Sequence, residues 1–112
     1  MDPDTGLARL EDERETATRM LAALTRDFTG IVEASAGSNA DDEHDPEGAT
    51  IAFERSQVTT MIEQARDRLV QIEAAVERVH DGTYGTCESC GRRIPDGRLE
   101  ARPVARTCIA CA

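Results

Sequence analysis

Four cysteines near the end of the chain fall into two pairs: Cys87 and Cys90 form one C-x-x-C, Cys108 and Cys111 another, with 17 residues between the pairs. Thiolates separated by two residues can grip one edge of a metal ion. A loop of this length brings a second edge back to complete a tetrahedron, which is the spacing of a four-thiolate zinc site. Gly91, directly after the first pair, permits the tight turn that such a grip needs. Sulfur fills all four positions, so no place remains for an activated water, and one Zn2+ is expected to hold structure and not to catalyse. A thioredoxin-like redox pair would need strand-helix-strand surroundings, and nothing before Cys87 reads that way. Oxidation of the thiolates would release the metal and loosen the segment around it.

The rest of the 112 residues excludes most other chemistry. No phosphate-binding G-x-x-x-x-G-K-[ST], no G-x-G-x-x-G after a strand and no Ser/His/Asp set occurs, so the chain is not expected to be an enzyme. Thirteen basic residues, all arginine, face 22 acids, and a net charge of −9 argues against direct sequence-specific binding to DNA. No stretch approaches 18 apolar residues, which excludes a transmembrane helix. The start, Met1-Asp2-Pro3-Asp4, lacks the basic and apolar regions of a signal peptide, so a cytoplasmic location is expected. In a reducing compartment the cysteines suit a metal better than disulfides.

Positioning the cysteines falls to two long segments upstream. From about Asp4 to Ala36, apolar residues recur at Leu7, Leu10, Ala17, Leu21, Leu24, Phe28 and Ile31, in steps of three and four once Arg14 is counted as a slot. From Pro46 to about His80 the same rule places Ile51, Val58, Ile62, Ala65, Leu69, Ile72, Val76 and Val79, with Arg55 in the polar slot. Each stripe must be buried, and the simplest burial pairs the two helices as an antiparallel coiled-coil hairpin, about 50 Å long at 1.5 Å per residue. A hairpin that fills its own seam needs no partner helix, so a monomer is expected. Gly37 can end the first helix, and Asp45-Pro46 is a cap and first-turn pair for the second. The intervening tip, about residues 37–49, is acidic at Asp41, Asp42, Glu43, Asp45 and Glu47.

His80-Asp81-Gly82 closes the second helix, and the composition then changes to Gly, Pro, Arg and Cys. This divides the chain into an acidic hairpin, residues 1–81, with a charge of −11, and a terminal module, residues 82–112, with a charge of +2. About 31 residues is below the size that usually folds without a staple, so the metal is expected to supply the folding energy. The fold class is therefore mainly α: a long antiparallel coiled-coil hairpin with a small C-terminal four-cysteine zinc-finger module.

The run Tyr84-Gly85-Thr86-Cys87-Glu88-Ser89-Cys90-Gly91, with Arg98-Leu99-Glu100-Ala101-Arg102-Pro103 and Cys108-Ile109-Ala110-Cys111, closely resembles the zinc module of the DksA/TraR family. The resemblance covers about residues 82–111, and the acidic hairpin before it agrees in architecture. It implies a transcription regulator that binds bacterial RNA polymerase, passes its hairpin through the secondary channel toward the active site, and acts in the stringent response with guanosine tetraphosphate. Counted back from the cysteines, the family's tip pattern Asp-x-x-Asp-x-Ala falls on His44-Asp45-Pro46-Glu47-Gly48-Ala49. Glu47 and Ala49 keep the second acid and the alanine, while His44 with Asp45 beside it replaces the first acid. The resemblance thus marks Asp41, Asp42, Asp45, Glu47 and Ala49 as the face offered to polymerase. Arg98 and Arg102 are candidates to meet phosphate or polymerase, but the basic position expected on the second helix falls near Gln71, so strong nucleotide dependence is not expected. The competing reading is a zinc-stabilised coiled-coil adaptor with no polymerase role.

Overall fold

A computed structural model of the chain describes residues 1–36 and 46–112, with side chains for 1–34 and 48–112. The described residues form two long helices, α1 (Pro3–Ala36) and α2 (Pro46–Asp81), followed by a six-residue helix α3 (Asp96–Ala101) and a 3₁₀ turn (Ile109–Cys111). They contain no strand; one isolated antiparallel bridge joins Thr86 and Arg93. The two long helices make the hairpin expected from the heptads. No described helix is long and apolar enough to cross a membrane.

Helix ends follow local chemistry. Asp2 caps α1: its Oδ1 accepts the Thr5 backbone N–H at 2.8 Å, its Oδ2 accepts the Thr5 hydroxyl at 3.1 Å, and Pro3 takes the first helical position. The Thr5 N–H holds the Asp2 carboxyl below its ordinary value. At the other end of the hairpin, Gly82 leaves α2 with φ +76°, its N–H donating to Val79 O, while Thr83 N–H donates to Arg78 O. That pair of bonds is a Schellman motif, and it satisfies carbonyls the last helical turn would otherwise leave unpaired.

Two compact units divide the chain, one combining Met1–Thr16 with Arg68–Ala112, the other comprising Ala17–Asp67. Within the second, Ala17, Leu24 and Ala65 are buried, and Leu21, Phe28, Ile31, Ile51, Val58 and Ile62 are half-buried. Arg55 lays its guanidinium over the Phe28 ring, 5.7 Å from the centroid, so this polar seam position contributes a cation–π contact. Within the first unit, Leu10, Ile72 and Ala75 are fully buried beside half-buried Leu7, Leu69, Val76 and Val79. Ala75 was not among the expected seam residues; three positions after Ile72, it broadens the buried face of α2 beyond a two-position heptad stripe. Arg14 reaches Glu73 at 2.7 Å, and Arg68 pairs with Glu13. These crossed pairs tie the first turns of α1 to the last turns of α2 in one register, although half-exposed pairs add little stability.

Of the expected tip, Asp41, Asp42, Asp45 and the side chain of Glu47 lie outside the described residues. Ala49 sits in the first turns of α2 and is exposed.

Candidate metal centre

The cysteine module is built by short-range bonds around a small core. After the end of α2, Thr86 N–H donates to Thr83 O and Ile94 N–H to Gly85 O, folding the chain back on itself. Cys87 N–H donates to Arg92 O at 2.8 Å, and Gly91 N–H closes onto Cys87 O at 2.9 Å. Gly91 takes φ +72°, the left-handed turn anticipated after the first pair. The second pair is set by the 3₁₀ turn, where Cys111 N–H donates to Cys108 O at 3.1 Å. Between the pairs, α3 places Leu99 against Cys87, Ile94 and Ala105, and Met1, Tyr84 and Cys108 pack on this cluster.

These turns bring all four sulfurs within 4.8 Å of one another, with Cys90 and Cys108 3.9 Å apart. Zinc–sulfur bonds of about 2.3 Å in a tetrahedron require sulfur–sulfur edges of about 3.8 Å, so the donors fit one zinc. All four are free of disulfides; Cys87 is buried, whereas Cys90 and Cys111 face solvent. Backbone amides, foremost that of Cys108, then those of Cys90 and Ser89, converge on Cys87 and pull its thiol down to about 6. Hydrogen bonding among the crowded sulfurs, first with Cys108, pushes the Cys111 thiol up to about 12. Without a cation, four adjacent sulfurs cannot all carry charge cheaply. A divalent ion removes that penalty and makes the full set of thiolates favourable.

Tyr84 joins the module to the hairpin base. Its hydroxyl donates to Pro103 O at 2.8 Å, and burial raises its pKa. The ring lies so close to α1 that a Cβ on Gly6 would stand 2.6 Å from Tyr84 Cε1. Gly6→Ala therefore has to displace the ring. Overpacking of about 1–3 kcal/mol should exceed the gain of about 1 kcal/mol in helix propensity, giving a net loss in denaturant melts and faster hydrogen exchange near Tyr84. A stabilised variant would contradict this packing. Arg78, absent from the sequence expectations, is half-buried and donates through Nη2 to Val104 O at 3.3 Å; burial, followed by repulsion from Arg106, lowers its pKa. An arginine in the last turn of a helix signals dipole pairing more readily than a distant carbonyl partner, so the sequence alone did not single it out.

Arg98, expected to meet phosphate or polymerase, is half-buried and turns its Nε–H to Thr107 O at 2.7 Å. Arg102 is exposed, and its backbone N–H donates to Arg98 O.

Residues 82–112 match the family model of the prokaryotic dksA/traR C4-type zinc finger. General stress protein 16O of Bacillus subtilis is 39% identical over 72 residues, covering 64% of this chain and 44% of that protein. The RNA polymerase-binding transcription factor DksA of Escherichia coli is 45% identical over 49 residues, covering 44% of this chain and 32% of that protein. The matched segments thus span less than half the length of these relatives. The solved structure of transcription factor DksA2 from Pseudomonas aeruginosa shares the fold, with a TM-score of 0.83 over 97% of this chain and 78% of that one, at 22% identity. The C4 zinc finger accounts for the sulfur cluster as the site of one structural Zn2+. Residues 82–112 thus carry a DksA/TraR-type C4 zinc finger, and the chain as a whole shares the fold of DksA2.

Proposed function

We propose that this chain is a non-catalytic regulator that binds bacterial RNA polymerase and modulates transcription initiation, with its hairpin entering the secondary channel. One observation carries the reading: a four-thiolate finger like that of the polymerase-binding relative occurs on a chain whose fold matches DksA2 across nearly its whole length. In this reading residues 1–81 are the probe and residues 82–112 its zinc-bound foot. Cys87, Cys90, Cys108 and Cys111 are the ligands. A structural ion supplies folding energy and fixed geometry there, while the protein's own carbonyl and amide contacts set the direction in which the foot meets the helices.

Asp41, Asp42, Asp45, Glu47 and Ala49 form the polymerase-facing tip in this reading. Negative charge delivered near the polymerase's bound magnesium would alter the local field, since the ion is the largest charge in such a site. Arg102 remains available as an exposed contact, whereas Arg98 already serves Thr107. With Gln71 where a base would assist a nucleotide, guanosine tetraphosphate is assigned at most a modest influence.

Co-migration with purified core RNA polymerase in gel filtration, with and without guanosine tetraphosphate, tests the reading. A stoichiometric complex formed in both conditions is expected. Failure to co-migrate at micromolar concentrations would leave the coiled-coil adaptor as the better account.

A further inference from the structure

The segment that delivers the second pair of ligands, Pro103–Thr107, is gripped along its length. Pro103, Val104 and Ala105 are buried. Pro103 O accepts from Tyr84, Val104 O from Arg78, Arg106 O from the Glu88 N–H at 2.9 Å, and Thr107 O from Arg98. Four carbonyls in a five-residue segment are therefore held by groups outside it. Arg106 also pairs its Nε with Glu88 Oε1 at 3.1 Å, next to the ligand Cys87.

The last of these contacts has a particular geometry. Thr107 C=O and Cys108 N–H belong to one planar peptide, in which the two groups point in opposite directions. On one side the carbonyl takes the Arg98 guanidinium N–H at 2.7 Å. On the other lies Cys108, whose sulfur stands 3.9 Å from that of Cys90 within the four-sulfur cluster. The peptide that Arg98 holds is therefore the one that carries a metal-binding sulfur.

We propose that Arg98 is a positioning residue for the zinc centre: it locks the Thr107–Cys108 peptide so that the Cys108 side chain reaches the ion held by the other three sulfurs. Outer contacts of this type orient ligands and commonly govern metal retention. This assignment rests on the zinc reading and is independent of polymerase binding. It also gives Arg98 work that a phosphate contact would not explain, since Nε is directed inward to the module's own backbone.

Full-length protein, stripped of metal under reducing conditions and titrated with Co2+ in competition with a chelator, tests the proposal. Arg98→Ala should weaken Co2+ binding by about 10–100-fold and speed hydrogen exchange in the zinc-loaded protein at the Glu88 amide, which donates to Arg106 O beside the held peptide. Arg102→Ala removes the same charge four residues away from an exposed position and should bind as the unmodified chain does. Affinity for Arg98→Ala within twofold of the unmodified protein would overturn the proposal, as would an equal loss in Arg102→Ala. Should Arg98→Ala fail to fold at saturating metal, Arg98→Lys decides the matter. A protected Glu88 amide with near-normal affinity in that variant supports positioning by a charged donor; normal affinity with an unprotected Glu88 amide contradicts it.

Discussion

Removing the metal with a chelator is expected to release one zinc per chain and unfold residues 82–112, while α2 and most of α1 keep their helical signal. The module's buried residues are Cys87, Ile94, Leu99, Pro103, Val104 and Ala105, too little apolar surface to order about 31 residues unaided. Structural zinc contributes about 10–16 kcal/mol in small finger peptides, so its loss outweighs any other single change available here. Cys87→Ser should act in the same direction, because it replaces the buried sulfur on which the module's amides converge. The loss should also reach beyond the finger. Met1–Thr16 shares a compact unit with it, through Gly6 against Tyr84 and Met1 against the finger's buried cluster. Amide protection should therefore fall in the first turns of α1 and persist within Ala17–Asp67. Hydrogen exchange with and without chelator reads both outcomes, and unchanged protection across residues 82–112 would contradict the role given to zinc.

Much of this architecture was legible because it depends on periodicity and spacing. The heptad positions Leu10, Ala17, Leu24, Ala65 and Ile72 are the buried ones, and the cysteine spacing anticipated four sulfurs within reach of one ion. Helix ends were legible to within a residue where a local motif sets them, as at Pro46 and Gly82; the same Asp-Pro signal at Asp2-Pro3 places the start of α1 one residue before the Asp4 expected. What sequence did not show is long-range. Nothing local tells that Gly6 must lack a side chain because Tyr84, 78 residues later, lies against it. Nor does an arginine in Arg-Leu-Glu-Ala-Arg-Pro reveal that its partner is the Thr107 carbonyl, since a backbone acceptor carries no sequence signature. Arg14 and Arg55 show the same limit: both read as interruptions of a seam, and each finds its partner, Glu73 or Phe28, on the other helix.

The second large effect concerns the acidic tip. Asp45→Ala combined with Glu47→Ala should leave the zinc finger and the helical seams intact, because neither residue belongs to the heptads or to the sulfur cluster. Polymerase contacts made along the helices and the finger would survive, so the double variant should still co-migrate with core polymerase. Its influence on transcription should fall to background, since the two carboxylates nearest the helix start are the charges the hairpin would bring toward the active-site magnesium. A general loss of binding would instead mean that the tip acts as an adhesive. Binding and activity must therefore be read on the same preparations.

The most direct measurement is multi-round transcription by purified polymerase, at protein concentrations shown to saturate binding, comparing the unmodified chain with the Asp45→Ala/Glu47→Ala variant. The account predicts altered transcript yield with the unmodified chain and none with the equally bound variant. Equal effects from both, or no effect from either, would contradict it.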